Sequence, residues 1–207
     1  MSGGRYPEAL EILTDLKNGD KQSPYTRYNL GVAMVNTGDI KTGRAVIDRV
    51  GRMRVSDVET MAFRDKANMS LGWHYLKDGL AGNAKQVFYR VRSAGPFSNR
   101  SLLGLGWSEL APSNSAKTAN IPDDITPFST FATLAGSLNI GGNKTDKTVK
   151  NFKLGQISPE EQAALQRAMV AWVELIGRDQ LDPAVQEAWL AIPYALDRLG
   201  AHTEALQ

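Results

Sequence analysis

One tripeptide occurs twice in the chain, at a separation that restricts the fold more than any other feature. Leu71-Gly72-Trp73 and Leu105-Gly106-Trp107 are identical in sequence and lie 34 residues apart. Self-similarity at a period between about 20 and 50 residues is typical of proteins that stack one supersecondary unit repeatedly. The chain is therefore expected to build its core by packing such units against their neighbours.

The residues that follow the first copy are typical of two helices joined by a tight turn. A glycine at position 72 lets two helices approach closely, because a side chain there would hold the backbones apart. Gly79 suits the turn between the helices, and Ala84 and Phe88 form a small and large pair on the returning helix. Pro96 lacks an amide donor, so we expect it to end that helix. The predicted unit is a helical hairpin.

The order and spacing of these residues resemble the tetratricopeptide repeat (TPR), which is a helical hairpin. An earlier copy of the pattern centres on Gly31, with Gly43 at a position where alanine is usual. Gly31 precedes Gly72 by 41 residues, and the excess falls in 51–64, where we expect a longer loop between units. The resemblance implies an all-α fold, a right-handed α-solenoid of TPR-like hairpins.

The unit that begins at Ser101 has its first helix, but a matching second helix comes late in the chain. Ala168 and Trp172 fit the small and large positions of a second helix, about 50 residues later than the repeat requires. The stretch between is rich in Ser, Thr, Asn, Gly and Pro, and loops of this length are often functional or disordered. The expected domains are TPR-like repeats over 1–111 with the first truncated, a long polar insertion over 112–159, and the remaining TPR-like helices over 160–207 with the last truncated.

The resemblance also implies which side chains line a groove, because the first helices of such a solenoid form its concave face. The residue after the packing position is aromatic at Trp73, Trp107 and Tyr194, and basic side chains recur nearby at Lys66 and Arg100. Aromatic anchors beside cations suit an extended peptide or an acidic tail of a partner protein. The predicted partner-binding residues are Tyr28, Lys66, Met69, Trp73, Arg100, Leu103, Trp107 and Tyr194.

Three other interpretations remain open. The tryptophans could fill the interfaces between hairpins instead of contacting a ligand, and the insertion over 112–159 could be the main partner-binding element. A basic stripe could also meet phosphate, which makes a nucleic-acid-binding helical repeat a further alternative. Acidic residues interrupt this stripe and second helices usually present a solvated face, so nucleic acid is the less favoured partner. The stripe comprises Arg44, Arg49, Arg52, Arg54, Lys85, Arg90 and Arg92.

Composition argues against catalysis and against metal or cofactor binding. The chain has no cysteine and only two distant histidines, so neither a thiolate nucleophile, a zinc site nor a histidine triad is expected. The net charge of +2 is too small to attract nucleic acid through the whole molecule. A membrane-spanning helix needs about 20 consecutive apolar residues, and no stretch of the sequence approaches that length.

We therefore expect a non-enzymatic protein-protein interaction scaffold that binds a partner protein or peptide without cofactor or metal. Solenoids with long loops and irregular spacing are found in bacterial envelope assemblies. That analogy favours a periplasmic or envelope-associated location over a cytoplasmic one.

Overall fold

The computed structural model describes residues 5–15, 23–111 and 157–201. Across these ranges the chain forms eight α-helices and no strand, which confirms the all-α prediction for the described residues. Most of the predicted insertion, residues 112–156, lies outside the described residues, and the division into three segments stays a prediction. The helices are α1 Tyr6–Asp15, α2 Pro24–Asn36, α3 Ile40–Gly51, α4 Val58–Lys77, α5 Ala81–Phe88, α6 Ser98–Leu110, α7 Pro159–Ile176 and α8 Pro183–Arg198.

Local sequence explains where most of these helices begin. At α4 the Asp57 carboxylate accepts a hydrogen bond from the Thr60 N–H at 2.7 Å, and at α7 the Ser158 hydroxyl accepts one from the Glu161 N–H at 3.1 Å. Such caps satisfy N–H groups that have no partner within the helix. The residues that cap helices in this way are Ser23, Asp39, Asp57, Ser158 and Asp182.

Three helices are followed by a glycine in the left-handed region of backbone space. Gly38, Gly79 and Gly200 have φ angles of 101°, 72° and 82° and are the second residues after the ends of α2, α4 and α8. A side chain is strained at such angles, so glycine is the residue that ends a helix this way. Each of these glycines stands seven residues after the packing position of its unit, so the turn repeats with the sequence pattern.

Helices that are neighbours in sequence pack against each other, and alternate helices make a further set of contacts. Each helix of the series contacts the next one along the chain, including α6 and α7, which 48 residues separate. The even-numbered helices also contact one another, α2 with α4, α4 with α6 and α6 with α8. These four helices therefore form one continuous row.

Glycines bring paired helices into close contact, as the sequence pattern predicts. A methyl group at Gly72 of α4 or at Gly104 of α6 would overlap the ring of Phe88, which α5 inserts between them. A methyl group at Gly106 would overlap Trp172, and that tryptophan is fully buried between α6 and α7. The Phe88 and Trp172 rings thus occupy the space beside these glycines that a side chain would otherwise fill.

The prediction of a long loop between the first two units is wrong. Helix α3 continues to Gly51 and α4 already begins at Val58, so the connection is only 52–57. The additional residues lengthen α4, which has 20 residues. The reason is local, because Asp57 caps the helix two turns earlier than the repeat pattern requires.

The prediction that Pro96 ends the second helix of the hairpin around Gly72 is also wrong. Helix α5 already ends at Phe88, so Arg90 and Arg92 lie in the connection to α6 and not on the helix. An ion pair with a buried carboxylate holds this connection, since the Arg92 Nε lies 2.6 Å from an oxygen of Asp65, whose side chain is fully buried on α4. A charge buried at that depth requires such a partner.

Candidate functional site

Four of the predicted partner-binding residues line one surface depression. It lies across α2, α4 and α6, has a volume of about 340 Å³, and is called here the Trp73 depression. Its position on the row of even-numbered helices is the one that the repeat offset predicts. The residues that line it are Tyr28, Met69, Ser70, Trp73, His74, Lys77 and Arg100.

Trp73 contributes both to packing and to the surface of this depression. Its ring meets Phe88 edge to face with the centroids 5.9 Å apart, so part of the indole fills the interface between hairpins. Its Nε1 donates a hydrogen bond to the backbone oxygen of Arg100 at 3.3 Å, and the Arg100 guanidinium lies 6.0 Å from the ring centroid. The side chain is half-buried. The two interpretations of Trp73, interface packing and ligand contact, are therefore compatible.

Tyr28 and Lys66 form one side of the site. Tyr28 is only 9% exposed and packs edge to face against Phe63 with 5.3 Å between centroids. The Lys66 Nζ lies 5.5 Å from the Tyr28 ring centroid and 5.8 Å from that of Phe63. Such cation–π contacts hold an ammonium group beside an aromatic surface. Lys66 is thereby fixed next to the depression, although it does not line it.

The Trp73 depression carries an excess of positive charge. No Asp or Glu is among its lining residues, and in the described part of the chain no carboxylate lies within 4 Å of Lys66, Lys77 or Arg100. Burial, with a smaller effect of the Arg44 charge, lowers the pKa of His74 below 6.5, so its imidazole is neutral at neutral pH. The three cations therefore outnumber the one carboxylate, Asp78, whose charge acts on His74.

The remaining two aromatic residues of the predicted ladder meet in a second depression. The Trp107 depression has a volume of about 380 Å³ and is lined by Trp107, Leu110, Ala111 and Tyr194. The Trp107 Nε1 donates to a carboxylate oxygen of Glu187 at 2.8 Å, and its ring packs against Trp172 with 4.9 Å between centroids. Helices α6 and α8 thus bring Trp107 and Tyr194 together apart from the Trp73 group.

Leu103 lies in neither depression. Its side chain is 3% exposed and belongs to the core between α6, α7 and α8. Its backbone oxygen accepts a hydrogen bond from the Trp172 Nε1 at 3.4 Å. Leu103 is therefore a core residue and not part of a surface that a partner could contact.

Three lining residues, Ser70, His74 and Lys77, are not among the predicted partner-binding residues. The sequence does carry a signal for them, because residues three and four apart share one face of a helix. Ser70 and His74 follow Lys66 at intervals of four along α4, with Trp73 and Lys77 on the same side. An offset counted from the packing position selects single residues of each repeat. It omits the residues three and four positions away that share the same helix face.

Most of the basic stripe is paired with acidic side chains. Burial alone would raise the pKa of Asp48, but hydrogen bonds from Arg90 and Arg52 outweigh it and lower the pKa below 3.8. The same carboxylate therefore stays ionised and neutralises part of the stripe. The pairs are Arg44 with Asp78, Arg52 and Arg90 with Asp48, Arg92 with Asp65, and Lys85 with Glu109.

Within residues 5–15, 23–111 and 157–201, no three His, Asp or Glu side chains are placed to share a metal ion. No helix in these ranges is long and apolar enough to cross a membrane.

Comparison with known proteins assigns no relative to the chain. No protein-family profile, curated protein or solved structure matches it.

Proposed function

We propose that this chain is a non-enzymatic protein-protein interaction scaffold, built as a right-handed α-solenoid of TPR-like hairpins, that binds an extended acidic segment of a partner protein. The observation that carries the proposal is the Trp73 depression. It combines a half-buried indole with Arg100 and Lys77 at its surface, and its lining has no acidic residue.

The helix contacts support the solenoid arrangement. A helical-hairpin repeat needs its first helices to form one row, and α2, α4, α6 and α8 make successive contacts of this kind. The turn glycines Gly38, Gly79 and Gly200 recur at the same offset from the packing positions. Local sequence and helix order thus agree with a single repeating unit.

Charge complementarity supports an acidic partner. Lys77 and Arg100 have no acidic partner in the described ranges, so a carboxylate that binds there would not have to break an existing ion pair. Arg100 is exposed, and its guanidinium can accept a carboxylate in a bidentate geometry. The attraction would increase the rate of association and select against basic segments.

The aromatic side chains would supply the apolar part of the contact. The hydrogen bond of Trp73 to Arg100 and its contact with Phe88 fix the indole before any partner arrives. A side chain that is already ordered loses little conformational entropy on binding. Trp73 therefore has the properties of an interface anchor.

An extended segment could reach both depressions, because α6 contributes to each of them. Arg100 and Trp107 are seven residues apart on α6, which corresponds to about 10 Å along a helix. An extended chain covers that distance with about three residues. We therefore expect a contacting segment that is longer than about three residues and has acidic and apolar side chains.

Selection from a random peptide display library tests the proposal. We expect enriched sequences to be acidic with at least one large apolar residue, and the best of them to bind at least tenfold more weakly to Trp73→Leu and to Arg100→Gln. Trp189→Leu and Arg49→Gln are matched controls, because both residues are exposed and line neither depression. Enrichment of basic or charge-neutral peptides, or equal weakening by the controls, would contradict it.

The interpretation that places partner binding in the insertion makes a different prediction in the same assay. A chain in which residues 112–156 are replaced by a short Gly/Ser linker would then lose the selected peptides, while the Trp73→Leu chain would keep them. Circular dichroism shows that each variant retains its helices before affinities are compared.

A further inference from the structure

A cleft between α3 and α5 is larger than either depression and shares no lining residue with them. Its volume is about 530 Å³, which lies within the range of small-molecule sites. Four cationic side chains contribute to its lining, and Asp48 is the one acidic residue there. The cationic residues are Lys41, Arg44, Arg52 and Arg90. The cleft therefore has an excess of positive charge within a small volume.

Arg44 is held in place inside this cleft and has an unused donor. Its guanidinium lies 4.7 Å from the Tyr75 ring centroid, and its Nη2 donates to the His74 backbone oxygen at 3.2 Å and to the Asp78 carboxylate. The side chain is only 12% exposed. Its Nε is buried without any hydrogen-bond partner. That nitrogen has no exposed surface, so a ligand in the cleft cannot reach it. Arg44 instead offers a guanidinium that Tyr75 and the His74 backbone oxygen already hold in place.

Arg52 and Arg90 share one carboxylate and keep most of their donors. The Arg52 Nε lies 2.7 Å and the Arg90 Nη1 2.5 Å from the two oxygens of Asp48. A guanidinium has five N–H donors, so each of these arginines uses only a part of them. Asp48 thus orients two arginines toward each other without neutralising both.

Lys41 adds a cation at the end of the cleft nearest the start of α3. It is exposed, and no carboxylate of the described residues lies within 4 Å of it. Ile40 and Val87 contribute apolar surface to the same lining, and Asn83 contributes an amide. A ligand with both an anionic part and an organic part would meet complementary groups for each.

We propose that the α3–α5 cleft binds a small organic molecule that carries phosphate groups. Arginine donors match the geometry of phosphate oxygens, and the arginines here are already ordered by Tyr75 and Asp48. Asp48 in the lining and Asp78, which pairs with Arg44 from outside the lining, balance two of the four positive charges. A ligand with two linked phosphates would compensate for the rest.

The geometry favours a small ligand over a nucleic acid. Arg49 and Arg54 belong to the same basic stripe and are exposed, but neither lines the cleft. A long polyanion that follows the stripe would use them as well, because binding to a phosphate backbone depends on the total number of cations contacted. A small ligand would contact only the cations that line the cleft.

The test uses the full chain in calorimetric titrations with pyrophosphate and with ADP, at physiological salt. We expect saturable binding of at least one of these probes, and a rise in Kd of about tenfold for Lys41→Gln and for Arg44→Lys, since one charge-assisted hydrogen bond corresponds to about that factor. Arg49→Gln removes the same charge from the same helix outside the cleft, and its Kd should stay within about twofold of wild type.

Three results would overturn the proposal. The first is the absence of saturable binding of both probes at millimolar concentration. The second is an equal loss of affinity in Arg49→Gln, which would indicate general attraction by the stripe. The third is a single-stranded RNA of about 20 nucleotides that binds more tightly than either probe and depends equally on Arg49 and Lys41, which would assign the surface to nucleic acid. Circular dichroism confirms that Lys41→Gln, a change at an exposed side chain, leaves the fold intact.

Discussion

At the scale of single residues, the position of Gly43 has a structural reason. The TPR pattern usually has alanine there, but in this chain a Cβ at Gly43 would lie 2.7 Å from the backbone oxygen of Gly31. Likewise, a Cβ at Gly31 would lie 2.9 Å from the backbone oxygen of Gly43. Helices α2 and α3 therefore cross with their backbones in direct contact, and two facing glycines make that crossing possible.

The first prediction concerns this crossing. Gly43→Ala should lower the free energy of unfolding by about 1 to 3 kcal/mol, because the added methyl forces α2 and α3 apart. The sign is informative, since alanine normally stabilises a helix interior by about 0.5 to 1 kcal/mol relative to glycine. Gly177→Ala is the control, because its Cβ would meet only the Glu174 oxygen at 3.9 Å. Urea denaturation of both variants measures the difference, and a stabilised Gly43→Ala would contradict the crossing.

The second prediction concerns the Asp48 carboxylate and pH. Its pKa is lowered in the folded chain, so it contributes stability above pH 3.8 and loses that contribution as the pH falls through the folded pKa. Asp48→Asn should cost about 1 kcal/mol at neutral pH, a small value because the pair is partly exposed to solvent. The stability difference between wild type and variant should be constant from pH 7 to 5 and shrink below about pH 4. A difference that grows on acidification would contradict this account.

At the scale of helices, the sequence predicts units better than it predicts their ends. Glycines and aromatic residues at fixed offsets locate the hairpins, because close helix packing and tight turns depend on a few residue types. Helix α5 instead ends at Phe88, and the segment after it makes a long-range contact, the pairing of Arg92 with the buried Asp65. Helix-end signals such as Pro96 do not contain that information.

In the candidate site, the sequence predicts where residues lie along the helices better than it predicts which of them are buried. Trp73 on α4 and Arg100 on α6, which the repeat offset selects, lie beside each other because these two helices are in contact. It also selects Leu103, which α7 and α8 bury. A repeat offset specifies a side of one helix, whereas burial depends on which other helices pack against that side. The helix that buries Leu103, α7, follows α6 only after 48 intervening residues, so a local pattern does not predict this burial.

The third prediction tests the pairing of α6 with α7. Trp172→Ala should lower the free energy of unfolding by about 3 to 5 kcal/mol, because it removes a fully buried ring from the space beside Gly106. Trp189→Ala removes the same side chain from α8 where it is 48% exposed, so its effect should be much smaller. Thermal unfolding followed by circular dichroism compares them, and equal losses would contradict the pairing.

At the scale of the whole molecule, the helices before and after residues 112–156 share one hydrophobic core. Leu110 at the end of α6 and Ile157 just before α7 pack against the same hydrophobic cluster. The residues on either side of 112–156 therefore belong to one core. The contact between α6 and α7 does not require a particular length of chain between them.

The fourth prediction follows from this shared core. Replacing residues 112–156 by about eight Gly/Ser residues should leave the helical circular-dichroism signal of the described helices unchanged and keep one cooperative unfolding transition. A shorter loop costs less entropy to close, so the stability should be equal or higher by about 1 kcal/mol. Loss of cooperative unfolding would show that the packing of α6 and α7 depends on the replaced residues.

Photo-crosslinking of a selected acidic peptide to the intact chain, mapped by mass spectrometry, shows where a partner lies. The scaffold proposal predicts crosslinks on the even-numbered helices around Tyr28, Met69 and Trp73, extending along α6 toward Trp107. Competition by unlabelled peptide should remove them. Crosslinks confined to residues 112–156, or to the helices that line the α3–α5 cleft, would contradict binding in the row of first helices.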